Sequence, residues 1–168
     1  MQTPQDLFLH ELGDIYDAEN RILQILPALA QESNDQQAQQ AYQRHLQETQ
    51  QQIQNLDQCF QILGAQPQRE ACYAVQGLKQ EHDAFLQEQP SSQLITMFDL
   101  GAASKTEYYE IASYTGLIAK AQLMGQQQIA SLLQQNLQQE QNMAQTVQQI
   151  AQQLGQQQAP QMSGSGTR

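Results

Sequence analysis

Tryptophan is absent from the 168 residues, and cysteine occurs only at Cys59 and Cys72. Two cysteines so far apart build neither a disulfide framework nor a zinc-ligand set, and they read as small buried hydrophobes in a reducing cytosol. Basic residues are scarce, 7 Lys plus Arg against 17 Asp plus Glu, and the resulting net charge of −10 repels phosphate backbones. Nucleic acid is therefore not an expected partner. No apolar run reaches the roughly 18–20 residues that span a bilayer, and no basic, apolar and small-residue leader opens the chain. A cytoplasmic protein without membrane contact is expected.

Charge of either sign is thin, at 14% of residues, and glutamine fills its place at about a quarter of the chain. Glutamine is a good helix former, and here it alternates with apolar residues at helical spacing, so it reads as helix surface. Strand-type alternation is missing throughout. The chain is long enough to bury one continuous core without staples.

What is present is a series of apolar stripes. Thr3 before Pro4 marks a helix start, and Phe8, Leu12, Ile15, Glu19, Ile22, Leu26 and Leu29 then recur in steps of four and three. Pro27 inside this stripe predicts a kink or a tightened last turn. "ESNDQ" at 32–36 ends it. A second long helix is predicted over about 36–63, with Ala38, Tyr42, His45, Glu48, Gln52, Leu56 and Cys59 on one side and Gly64 stopping it. A short helix carries Val75, Leu78, His82 and Phe85. A third long one runs from about 91 to 124, before Gly125, and a fourth from about 126 to 154, with Gly155 closing it. The domain is expected to span 1–155, with 156–168 a flexible C-terminal tail.

The link between the second and third long helices is roughly thirty residues, long enough at about 1.5 Å per helical residue to travel the length of a bundle. The fold class expected is all-α, a ferritin-like four-helix bundle with a long crossover that contains a short extra helix.

Each long helix carries acid near its middle where leucine belongs. In "KTEYYEIASY", Glu107 and Glu110 fall on the row Leu100, Ala103, Tyr114, Leu117, Ala121 and Met124; Glu19, Glu48 and Glu140 occupy the same kind of position elsewhere. Brought to one level, these carboxylates and His45 cost several kcal/mol each unless a cation sits among them. Arg21, Arg44, Lys105 and Lys120 fall off the seam rows. Oxygen ligands with one imidazole suit Fe or Mn, and two ions would share the charge of bridging glutamates. A lone Glu on an apolar stripe is usually a rim residue that reaches solvent; it is the recurrence on four helices that points to metal. His10 and His82 read as surface or internally satisfied histidines. Tyr16, Tyr42, Tyr108, Tyr109 and Tyr114 read as packing residues, although one beside a di-iron centre could donate a hydrogen bond or an electron, and Gln52 reads as either a support for the ligands or plain surface. The chain lacks Glu-x-x-His, the strongest signature of ferritin-like di-metal sites.

The phrases "LFLHELGDIYDAENRILQILPALA", "HLQETQQQI", "EYYEIASY" and "LLQQNLQQEQ" resemble the YciF-like family of ferritin-like bacterial stress proteins, across nearly all of residues 5–155. The resemblance implies a rubrerythrin-related four-helix bundle, usually a homodimer, associated with stress responses. It maps the family's di-metal glutamates onto Glu19, Glu48, Glu110, Glu107 and Glu140, and matches His45 to the histidine opening the second phrase. Where relatives commonly have further acid or histidine, this chain has Gln47, Tyr108 and Ala144.

Two functions follow. One is a di-iron (or Mn, or mixed Fe/Mn) carboxylate protein that binds Fe(II) and reacts with O2 or peroxide, an oxidoreductase of ferroxidase or peroxidase type if turnover occurs. Glu48 and Glu110 are then the expected bridging ligands, Glu19 and Glu140 the terminal ones, with His45 or Glu107 completing the set. The other is a non-catalytic dimeric stress or interaction protein with a vestigial or structural metal site. Nothing in the sequence specifies the higher symmetry of a storage cage.

Overall fold

The structure, a computed structural model, describes residues 1–162, with side chains described to 157. Five helices follow one another: α1 (Pro4–Glu32), α2 (Gln36–Ile62), α3 (Tyr73–Gln87), α4 (Ser92–Leu123) and α5 (Gln127–Met162). No strand occurs among the described residues.

The boundaries follow from local chemistry. Thr3 accepts from the Asp6 N–H while the Asp6 side chain accepts from the Thr3 N–H, a reciprocal cap that occupies two orphan donors of the first turn. Asp35 caps α2 by accepting from the Ala38 N–H at 2.8 Å, and Ser91 caps α4. Gly64 and Gly125 follow the ends of α2 and α4 with φ of 67° and 72°, the left-handed backbone that a stopping glycine supplies. α1 continues through Pro27 to Glu32.

The expectation that Gly155 closes the last helix is corrected: α5 runs on to Met162. A glycine inside a helix costs only about 1 kcal/mol against alanine, and the flanking glutamines and leucine are good helix formers. The part of the expected tail between 156 and 162 is thus helical, and residues 163–168 lie outside the described residues.

Contacts between specific residues give the directions. Glu11 meets Lys120 and Asn34 meets Thr96, so α1 and α4 are antiparallel neighbours. Asn55 meets Asn136 and Gln52 meets Glu140, so α2 and α5 are too. With short turns joining α1 to α2 and α4 to α5, α2 and α4 run parallel, connected by residues 63–91. That is the single long crossover of ferritin-like bundles. Its first part docks on α1 at Gly13, whose carbonyl accepts from the Glu70 N–H at 3.1 Å. A Cβ on Gly13 would sit 2.9 Å from the Gln68 carbonyl oxygen, so the close approach requires glycine. Buried Asp17 accepts from the Cys72 N–H at 2.9 Å and fixes the crossover a turn higher. α3 then lies over α1 and α4.

All seven members of the α1 stripe are buried, and along α4 so are Leu100, Ala103, Glu107, Glu110, Tyr114, Leu117 and Ala121. On α2 the buried row passes through Tyr42, His45, Thr49, Gln52, Leu56 and Cys59. Thr49 takes the deep position between His45 and Gln52, and Glu48, about 100° round the helix from it, is set toward the edge. Both cysteines are buried and unpaired, and burial pushes the Cys59 thiol up to about 12.

Candidate metal centre

Midway along the bundle the apolar core is interrupted by acid. Glu107 and Glu110 share a face of α4 because they are three apart, and α2 and α5 bring His45 and Glu140 against them. One ligand atom from each of these four buried residues lies within 4.8 Å of the other three. His45 Nε2 stands 3.5 Å from Glu107 Oε1 and 3.6 Å from Glu140 Oε2. Glu19, wholly buried on α1, adjoins the four, and Tyr114 donates a hydrogen bond to its Oε1. Glu48 falls outside the four. Its side chain is 27% exposed, 3.3 Å from His45 Nδ1 on one side and 3.9 Å from Arg44 on the other.

Burial, first, and then the repulsion of neighbouring carboxylates raise Glu107 and Glu110 well above the ordinary carboxylate range; Glu19 is raised by burial and by Glu140. Among the described residues no lysine or arginine lies within ion-pair distance of Glu19, Glu107, Glu110 or Glu140. Arg21 pairs with Asp17, Lys105 with Glu81 and Lys120 with Glu11. Both oxygens of Glu110, and one each of Glu19, Glu107 and Glu140, are buried without a hydrogen-bond partner, as is His45 Nε2. Hard oxygen donors and one imidazole nitrogen, unpaired and converging, fit a divalent metal of the first transition row.

Below the cluster lies a polar layer in which sequence reasoning anticipated Gln52 and missed Asn55 and Asn136. Gln52 donates to Glu140, Asn55 donates to Asn136 Oδ1 at 2.7 Å, and Asn136 donates to the Tyr114 hydroxyl at 3.0 Å, which donates to Glu19. Gln52 is a buried support and Tyr114 a hydrogen-bonding member of the site as well as a packing residue. The available signal was spacing: Asn136 lies four residues before Glu140 and Asn55 three after Gln52.

His10 is exposed beside Glu70, as expected. His82 corrects its expectation as a surface or satisfied histidine. It is buried, and its Nε2 faces two carboxylates, Glu32 and Asp99, without a hydrogen-bond partner. Counting back four from Ala103 on the α4 row gives Asp99, so the sequence held that clue as well.

The helix order and the acid-rich middle define a ferritin-like four-helix bundle with a candidate metal centre. The chain belongs to the family described as "Domain of unknown function (DUF892)", whose family model matches residues 3–160. It is 33% identical over 138 residues to protein YciF of Escherichia coli, covering 82% of this chain and 83% of that one. The crystal structure of E. coli YciF, a stress protein, superposes with a TM-score of 0.84 at 32% identity, covering 90% and 96% of the two chains. YcfI of Rhodopseudomonas palustris superposes at 0.85 with 37% identity, covering 88% and 94%. The resemblance read from the sequence is therefore correct. No described helix is long and apolar enough to cross a membrane.

Proposed function

We propose that the protein binds iron at the bundle centre as a di-metal carboxylate site and uses it to consume O2 or peroxide during stress. The observation that carries this reading is the set of unpaired, fully buried carboxylate oxygens around Glu110, with only one imidazole to balance them. Glu107, Glu110, Glu140 and His45 would hold the ions, with Glu19 as a further carboxylate from α1. A bound Fe(II) pair supplies the electrons for oxidant reduction. The chain's own residues do the rest. Gln52 and Tyr114 hold Glu140 and Glu19 in fixed orientations, Leu100, Leu117 and Leu137 exclude water above and below, and Glu48, partly open to solvent beside His45, can accept a proton from its Nδ1.

The experiment is anaerobic addition of Fe(II) to the metal-stripped protein followed by O2. The reading predicts saturable iron uptake and a ferric absorption band that Glu110→Gln removes. Uptake without a band supports a second reading, a non-catalytic stress protein with a structural ion. That reading draws on the lack of Glu-x-x-His and on Ala144, buried where relatives commonly carry acid. The homodimer implied by the resemblance belongs to the same proposal and is checked by light scattering.

A further inference from the structure

A second group of donors stands apart from the bundle centre. Glu32 ends α1, His82 lies on α3 and Asp99 on α4. Asp99 is eight residues before Glu107, about 12 Å along the helix. His82 Nε2 is 3.2 Å from Glu32 Oε2 and 3.3 Å from Asp99 Oδ1. Metal–ligand distances of about 2.1 Å put neighbouring donors about 3.0–3.4 Å apart in octahedral or tetrahedral geometry, which matches both separations.

The alternative is a protonated His82 shared between the two acids. A single Nε2–H can satisfy one oxygen, not two, and Asp99, 0% exposed, has no hydrogen-bond partner on either oxygen. No lysine or arginine among the described residues pairs with Glu32 or Asp99; nearby Lys79 is taken by Asp83 at 2.6 Å. The three elements are also held in place. Phe85 stacks on Phe98 with centroids 4.1 Å apart and fixes α3 on α4. Thr96 bonds both the backbone and the side chain of Asn34, fixing the α1–α2 turn on α4. Asp83 Oδ1 faces His82 Nδ1 at 3.6 Å, where a carboxylate behind a metal-binding imidazole belongs. Access exists as well: a cavity of about 500 Å³ between α1, α3 and α4 is lined by Glu32, His82, Tyr42 and Glu107, so both donor groups open on one space.

We infer that Glu32, His82 and Asp99 form a second site for a divalent transition-metal ion, separate from the one at the bundle centre. One imidazole with two carboxylates suits Zn(II), Mn(II) or Fe(II). The site stands on its own residues and does not require the central reading to hold.

Co(II) is the probe, bound anaerobically to the metal-stripped full-length protein and counted by elemental analysis and visible d–d bands. A Glu107→Gln/Glu110→Gln double variant is expected to retain one equivalent, which adding Asp99→Asn or His82→Gln abolishes. In the wild type, Co(II) should shift the His82 ring protons far outside the normal NMR range, a readout that needs no substitution. If those protons stay in place, or if Asp99→Asn and His82→Gln leave count and bands unchanged, the second site does not exist. Loss of all Co(II) from the Glu107/Glu110 double variant also overturns it and leaves the centre standing. Retention of every equivalent by that variant supports the second site and removes the central one.

Discussion

A buried carboxylate is stable in one of two states, protonated or beside a cation, and Glu110 shows the consequence most plainly. Replacing it by the isosteric Gln removes an ionisable group whose charge nothing in the protein neutralises. Metal-free Glu110→Gln should therefore be more stable than metal-free wild type at pH 7.5, by about 1–3 kcal/mol in urea unfolding. The same variant should lose the stabilisation that metal confers. A destabilised metal-free variant would mean that Glu110 is satisfied in a way its geometry does not reveal.

The titration carries a sign. Glu19, Glu107 and Glu110 have folded pKa values above their usual 4.5, chiefly through burial, and Asp99 is pushed up from 3.8 to about 6. Between the unfolded and the folded value the native state holds more protons than the unfolded chain, so stability falls as pH rises. Metal-free protein should thus have a higher urea midpoint at pH 5 than at pH 7.5. Metal competes with those protons, so the slope should reverse when it is bound. Reading burial from the sequence succeeded where a polar group sat on an apolar row, as Glu19, Glu107, Glu110 and Glu140 do. It failed where two residues competed for one place. Thr49 and Glu48 both bridge His45 to Gln52 in steps of three and four, and only the pose of α2 against α1 and α5 decides that threonine goes inside.

At the scale of elements, the starts and stops were legible because caps are local chemistry: Thr3, Ser91, Gly64 and Gly125 act within one turn. Gly155 was misleading for the same reason, since a glycine ends a helix only where the chain also turns left-handed. Contacts between elements had no local signature. Gly13 accommodates the crossover, and Gly13→Ala should destabilise the protein by about 1–3 kcal/mol despite alanine's better helix propensity, because the Gln68 carbonyl must move. A gain in thermal stability would show that the crossover is not seated there. Across α2, α4 and α5, Asn136→Ala should cost about 2–3 kcal/mol by leaving the buried Asn55 amide without its acceptor and the Tyr114 hydroxyl without its donor. It should also weaken metal binding by loosening the Tyr114 hydroxyl that tethers Glu19. A loss of stability with metal affinity unchanged would separate the polar layer from the site.

At the scale of the whole molecule, the up–down–down–up order of the long helices places one acid-bearing segment of each at the same height, with α3 and the crossover closing one side. That convergence was inferable from helix lengths and the thirty-residue link, whereas the Glu32, His82 and Asp99 group was not. It joins the end of one helix, the middle of the crossover helix and the start of another, positions with no common period. A metal that binds only the folded chain stabilises it by about 2.7 kcal/mol at a hundred times its Kd. For a domain of this size that is a rise in Tm of about 5–10 °C, measurable by calorimetry with and without chelator. The most direct measurement is anomalous diffraction at the iron edge from crystals grown anaerobically with Fe(II). Peaks bounded by Glu19, His45, Glu107, Glu110 and Glu140 are predicted. A well-ordered centre with no anomalous density, its carboxyls paired to one another through shared protons, would contradict the account.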